Sequence, residues 1–597
     1  MKFSALLAGL LLVCSLHAAH AQEKVLRYAF KVAETGFDPA QVTDLYSRAV
    51  LAGILDAPLE YDFGTRPFKL RPATLAEMPE ISADFKTITM RVKPGIYFND
   101  DPAFDGKKRE LTAADYVYSV KRHYDPRWKS GNLYLLENVK ILGLSELRDE
   151  LAKARKPFDY DREVEGLKTL DRYTFQIKLG VPDPRFVYQF SDVYLGAVAR
   201  EVVELYGDKI MEHPVGTNAW RLGEWRRSSR IVLEKNPNYR ETRYAEIPPP
   251  DASDKLKAEV AALQGRKLPM VDRVVIDIIE EAQPRWLSFL RAEADVIEEV
   301  PADFAGIAMP NGKLAPNLAR QGVQMVRYPR PDVSVSYFNM EDPVVGGYTP
   351  ERIALRRAIN LAVDLDKEIR LVRRGQAIPS QGPIPPVAFG HSPSFKTEMS
   401  EFDLAKAKAL LDLYGYVDRD RDGWRDQPNG QPLELEYATT PDAQNRQLSE
   451  QWQKNMEALG VRMRFKIGKW PEHLKASTAG KLQMWGLGWL GTTPDGDTFL
   501  AMGSSSAKGK ANKPRFDLPA YEAIYEKQKH LPDGPERLQL MLEAERLLVA
   551  YAPYKFHVHR VWTDMAQPWL RGYSRNIFVR DFWKYVDIDI AAMPKAK

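Results

Sequence analysis

Apolar positions along this chain form short alternating runs and helical stripes that take turns from end to end, without a repeat. Val25-Leu26-Arg27-Tyr28-Ala29-Phe30 reads as an opening strand, and Ile88-Thr89-Met90-Arg91-Val92 alternates up to the turn signal Pro94-Gly95. Thr112-Ala113-Ala114-Asp115 has the N-cap and acidic third position of a capping box. It predicts a helix carrying Val117, Val120 and Tyr124 up to Pro126. Thr349-Pro350-Glu351 opens another helix, with Pro at its first position. Asp403 caps a third, in which Leu404, Ala407, Leu410, Leu411 and Tyr414 share a face and Gly415 ends the run. After Gly460, Val461, Met463, Phe465 and Ile467 alternate with Arg462, Arg464 and Lys466, the pattern of a half-buried strand. The fold class is α/β. Two stretches, Glu246 to Gly265 with its three prolines and Gly503 to Pro514 rich in Ser, Gly and Lys, read as exposed, mobile insertions.

The first residues follow a different pattern. Lys2 is the only charge, Ala5 to Leu16 is apolar, and Ala19-His20-Ala21 offers small residues for a peptidase. This is a secretory signal, cleaved after Ala21, and too short to span a membrane. Cys14 raises a lipoprotein reading, but Val13 is too bulky for a lipid-attachment site. The expected location is the periplasm. Cleavage also removes the only cysteine, so the mature chain has neither disulfide nor thiolate chemistry and must be stable through core burial.

Composition is that of ordinary globular protein, at 44% hydrophobic and 28% charged. Lys+Arg 85 against Asp+Glu 81 gives +4, or +3 once Lys2 is lost. The signs are interspersed, so no basic stripe points to nucleic acid.

Several motifs resemble sites and fall short. Asp418-x-Asp420-x-Asp422-Gly423 copies half of an EF-hand loop, but position twelve is Asn429, and a polar turn is the better reading. Gly503 to Lys510 resembles a phosphate loop with the wrong spacing and Ala511 in place of the magnesium-holding hydroxyl. His557-Val558-His559 puts two imidazoles on one side of a strand, where a structural role outweighs a metal or haem site. The carboxylate pairs Glu280-Glu281 and Glu298-Glu299 each flank an apolar run. No nucleophile elbow or zinc-protease signature occurs, and the expectation is a protein with no catalytic residues, metal or cofactor.

Five blocks, in order over almost all of the mature chain, carry a resemblance. They are Phe37-Asp38-Pro39-Ala40 with Gly53 to Leu59; Lys93 to Phe98 leading to Leu111 to Ser119; Pro214-Val215-Gly216-Thr217-Asn218-Ala219-Trp220; Phe338-Asn339 through Arg356-Arg357-Ala358-Ile359-Asn360; and Ala405 to Leu411 with Gly415-Tyr416 and Asp422-Gly423-Trp424. Together they resemble the family 5 extracellular solute-binding proteins of ABC importers, the group of dipeptide, oligopeptide and nickel receptors. The resemblance implies a class II periplasmic-binding-protein fold of two lobes with the ligand cleft between them. The first lobe would take residues 22–60, 213–331 and 553–597, with 61–212 as an extra subdomain on it, and the second lobe 332–552. It also implies hinge closure over the ligand, a permease partner in the inner membrane, and a monomer.

The same resemblance marks the site. In the peptide receptors a Trp-x-x-Asp stretch supplies the carboxylate that meets the peptide's ammonium group. The matching stretch here is Trp489-Leu490-Gly491-Thr492, so a hydroxyl stands in place of that Asp, with Thr493 beside it. A hydroxyl accepts a hydrogen bond but cannot neutralise an ammonium ion. Asp495 or Asp497 could substitute, though Asp at both places is usual in the family and more readily structural. Trp489, Trp485 and Phe37 are candidate ligand walls. Trp485, Leu487 and Trp489 would share one strand face, with Gly486 and Gly488 permitting close approach on the other. The expected ligand is a peptide or peptide-like molecule, with a blocked amino end one way to suit Thr492. The alternatives are an oligosaccharide, an opine, a haem or metal complex in the same fold, or, from another class, an exported hydrolase.

Overall fold

The computed structural model describes residues 22–594, so the signal segment and its cleavage point lie outside the described residues. The opening strand spans Val25–Phe30, with its alternate residues Leu26, Tyr28 and Phe30 buried. It pairs in parallel with Arg273–Ile278, which continues antiparallel to Arg230–Lys235 and then Trp220–Arg226. This sheet is the centre of the first lobe. A separate four-stranded sheet, Glu80–Ile81, Thr87–Arg91, Thr174–Lys178 and Leu167–Thr169, lies between its first and second strands in the chain.

Where the sequence signal was local, the structure follows it. Thr112 and Asp115 form the reciprocal capping box of the helix Ala113–Tyr124. The Asp403 carboxylate accepts the Lys406 backbone N–H at 2.8 Å, starting the helix Leu404–Leu413. Gly460 ends Ala443–Leu459 at a φ of 81°, a conformation open to glycine at little cost. The Asp418 region is a turn whose carboxylates accept backbone N–H groups, Asp418 from Gly423 and Asp422 from Trp424.

Three expectations are corrected. The strand Arg462–Ile467 buries less than its alternation promised, and Ile467 is 69% exposed. The reason is position: it is the last strand of its sheet. The stretch from Glu246 to Gly265 is not a loose insertion. Its helix, Asp254–Leu263, buries Leu256, Val260 and Leu263, and Glu259 accepts the Gly572 N–H at 2.9 Å. In Gly503 to Pro514, Ser504 and Asn512 are fully buried, and the Asn512 amide donates to the carbonyls of Ser504 and Phe516. Polar composition predicts exposure in both stretches, but hydrogen bonds to backbone groups, remote for Glu259 and local for Asn512, satisfy these side chains inside.

The second lobe is built on a sheet that also reaches into the first. Its order runs Val296–Ile297, Tyr554–Ala566, Asp332–Phe338, Met484–Leu490, Glu434–Thr439 and Arg462–Ile467. The long strand Tyr554–Ala566 spans both lobes. Its first part pairs with Asp332–Phe338, its second with Gln324–Pro329, the strand just before in the chain. These two paths are the crossings between lobes. At the crossover Asp332, fully buried, pairs with Arg330 at 3.0 Å and Arg560 at 2.6 Å, one cation from each path. His557 and His559 lie beside it with both ring nitrogens engaged: His557 with Glu368 and Ser336, His559 with the Asp332 carbonyl and Ser380. Burial pushes His559 down to about 4, so it is neutral at ordinary pH.

Candidate functional site

The segment after the strand Met484–Leu490 carries the matched stretch into the space between the lobes. Trp485, Leu487 and Trp489 do share one face and pack on the second-lobe core. On the opposite face the Tyr437 hydroxyl lies where a side chain at Gly486 would begin, and bonds Ser336 at 2.8 Å. Only glycine at 486 leaves room for that contact.

Thr492 is exposed and faces the first lobe. The cavity it opens on is otherwise lined by first-lobe residues, among them Asp56, Tyr61, Asp192, Phe578 and Arg580. Thr493 is half-buried beside it. The other candidates lie elsewhere. Trp489 is half-buried and its indole N–H donates to the Thr498 carbonyl at 3.0 Å. Trp485 is in the core, 4.7 Å from the Trp470 ring, and Phe37 is in the core of the first lobe, 4.8 Å from the Trp225 ring. Their apolar surface is used within each lobe rather than held out for a ligand.

Asp495 is also taken. Both its carboxylate oxygens accept from the fully buried Arg537, at 2.6 and 2.7 Å, and Asp533 holds the same guanidinium at 2.6 Å. A bidentate pair of this kind fixes the loop and leaves no free charge for an ammonium group. Asp497, half-buried in the same stretch, accepts the Gln528 side-chain amide and makes no ion pair among the described residues.

The first-lobe wall escaped sequence reasoning. Tyr61 follows the short strand start at Leu59, Asp192 sits between two 3-10 turns, and Phe578 and Arg580 belong to the returning C-terminal segment. The Phe578 ring packs between Tyr61, at 5.3 Å, and Phe68, at 4.8 Å. Asp56 is bound by Arg240 and Thr217, and Glu60 by Arg71 and Lys584. Lys584 holds Glu60 down to about 2 against the opposing effect of burial, which is the largest single influence and raises it. These acids are structural pairs, and of the aromatic strip Tyr61 is buried in the cavity wall while Phe578 is half-buried there.

The lobes also touch beyond the cavity. Arg185 donates to the carbonyls of Leu531, at 3.2 Å, and Lys529, at the C-terminal end of the helix Pro519–Lys529. A cation there meets the negative end of the helix dipole.

With this geometry in view, the comparisons decide the family. The model of the bacterial extracellular solute-binding proteins, family 5, matches residues 69–511. The chain belongs to that family. It is 24% identical to the dipeptide-binding protein of Escherichia coli K12, over 98% of this chain and 99% of that one. Two solved structures share the fold: the periplasmic binding protein DppA from Helicobacter pylori, solved with the peptide STSA, and HbpA2 from Haemophilus parasuis. The first has TM-score 0.66 at 22% identity, covering 94% of this chain and 98% of that one. The second has TM-score 0.72 at 17% identity, covering 95% and 100%. The family is one of solute-binding proteins, the Escherichia coli and Helicobacter pylori relatives are named as binding proteins, and the two-lobed α/β architecture is shared. No helix among the described residues is long and apolar enough to cross a membrane.

Proposed function

We propose that this family 5 protein is a periplasmic receptor that takes a peptide or peptide-like solute between its lobes and delivers it to an ABC importer. Binding selects and closes; no bond is made or broken. A ligand that touches both lobes favours the state in which they approach, and that state is what a permease reads. The observation that carries the reading is the cavity in which Thr492 of the second lobe faces the Tyr61–Phe578 strip of the first. Relatives named as dipeptide and di/tripeptide-binding proteins support peptide as the solute class.

Thr492 narrows that class. A free α-ammonium placed against it would lose water and gain a hydroxyl but no counter-charge. Peptides whose amino end is blocked escape that cost. The test is native mass spectrometry of the purified mature protein, then thermal-shift screening with dipeptides, N-acylated peptides and oligosaccharides. Stabilisation by peptides, strongest for the acylated ones, is expected. A response to sugars alone would overturn the peptide reading.

A further inference from the structure

The wall opposite Thr492 holds one more cation than it pairs. Asp192 is the only carboxylate within ion-pair range of Arg580 among the described residues, at 3.6 Å, and it already accepts from Arg48 at 3.1 Å. The same Asp192 also accepts the Tyr194 N–H. Two guanidinium groups thus share one acid, and the shorter contact belongs to Arg48, which is further held by the Asn132 side-chain carbonyl at 2.5 Å. Arg580 itself makes no hydrogen bond among the described residues, although its side chain is only 23% exposed. Burial pushes its guanidinium below the usual value, with Asp192 opposing that effect only in part.

Position adds to the charge count. Arg580 and its neighbour Val579 line both the cavity under Thr492 and the adjoining one, which runs to Tyr46, Glu299 and Trp562. A residue lining each space carries a buried donor without a partner among the described residues: the Tyr61 hydroxyl in the first and the Trp562 indole N–H in the second. Tyr61 is 4% exposed. Buried polar hydrogens of this kind are normally satisfied, and one on each side of an under-paired cation suits an acceptor-rich, negatively charged guest. The nearby acids make no ion pair with Arg580: Glu298 and Glu299 are bound to Arg575 and Lys31, and Asp581, on the same cavity, lies 3.8 Å from Lys584, which is nearer Glu60 at 3.1 Å.

We propose that Arg580 anchors an anionic group of the ligand, a carboxylate or other oxyanion, on the first-lobe wall of the cleft. This rests on the reading of that cleft as the solute site, and it adds the charge of the solute. A cleft that offers a cation on one lobe and a neutral hydroxyl on the other selects against free ammonium groups and for acids. In a peptide the anion is the terminal carboxylate or an acidic side chain.

Calorimetry on the full mature chain distinguishes these cases with matched probes. N-acetyl-trialanine is compared with its C-terminal amide, N-acetyl-Ala-Glu-Ala amide with the same Gln peptide, and lactobionate with lactose. The wild-type protein is expected to favour the anion at least tenfold in one pair or more, and Arg580→Gln to abolish that preference while leaving neutral probes within about twofold. Which pair responds identifies the anion's source. Asp192 retains Arg48, so Arg580→Gln is expected to melt as the wild type does. If it melts early, Arg580→Lys carries the test, with the preference reduced at least threefold because the planar fork is lost. Absence of preference in every pair, or a preference that survives substitution, overturns the assignment. Preference for lactobionate with no binding of any peptide would remove the peptide reading and keep the anchor.

Discussion

Asp332 and Arg560 meet at 2.6 Å where the two crossings between the lobes run side by side. Arg330 approaches the same carboxylate at 3.0 Å, so the acid is fully buried under one cation from each path. Hinge motion must turn about this point or break it. Replacing Asp332 by Ala leaves two guanidinium groups without a counter-charge, and a loss of about 3 kcal/mol is expected. The denaturant midpoint checks it, with Asp332→Asn expected to lose less. An unchanged midpoint would show that solvent already reaches the pair.

Arg185 is a contact between the lobes away from the crossover. Arg185→Ala removes a cation from the helix end at Lys529 and Leu531, worth roughly 1 kcal/mol. Small-angle scattering of the ligand-free protein is expected to give a larger radius of gyration for the variant, and ligand affinity is expected to fall roughly fivefold. Equal radii would place the lobe equilibrium under the hinge alone.

Thr492 faces the cleft, and Asp495 of the same stretch is held by Arg537. Thr492→Asp is expected to raise affinity for free-amino dipeptides about tenfold over acetylated ones, measured by calorimetry. Asp495→Asn is expected to act differently, lowering the melting temperature while moving ligand affinity less than twofold. If Asp495→Asn instead cost affinity with the fold intact, the ion pair would be part of the site.

The fold could be read where short-range chemistry sets structure. The capping box at Thr112, the Asp403 cap and the Gly460 stop each lie within a turn of the residues they control. Alternation gives the period of a strand but not its place in a sheet, so the exposure of Ile467 on the last strand carries no sequence signal. The cleft was half legible. The matched stretch led to Thr492, yet Phe37 and Trp485 are core residues, since a large aromatic side chain fits a lobe interior as well as a ligand wall. Tyr61, Asp192 and Arg580 carried no signal, because three remote segments become neighbours only when the C-terminal return packs on the first lobe.

Glu545 gives the second lobe a pH dependence. It is buried on the helix Pro535–Tyr551, and desolvation raises its carboxyl from 4.5 to about 8, opposed only by the Ile384 N–H at 3.3 Å. Below 4.5 the folded and unfolded chains both hold the proton. Between there and about 8 only the folded chain does, so this group's contribution to stability declines as pH rises and is gone above that range. Glu545→Gln is expected to flatten that slope and to stabilise the protein at pH ~7.5 by roughly 2–4 kcal/mol, at about 1.4 kcal/mol for each tenfold change in proton affinity. Melts at pH ~5 and ~7.5 decide it; parallel slopes for the two proteins would mean that water reaches the carboxylate.

The long strand Tyr554–Ala566 has a consequence for how the molecule is assembled. It lies inside the second-lobe sheet and also pairs with the last strand before the crossover, so neither half completes its hydrogen-bonded ladder without it. A chain emerging N-terminus first holds most of its strands and helices before that partner arrives, leaving Asp332–Phe338 and Gln324–Pro329 with open edges. Final consolidation therefore waits on a late segment, a high-contact-order closure that couples the two halves into one cooperative event. In the interval, exposed ladder edges are what an aggregating neighbour or a chaperone would find.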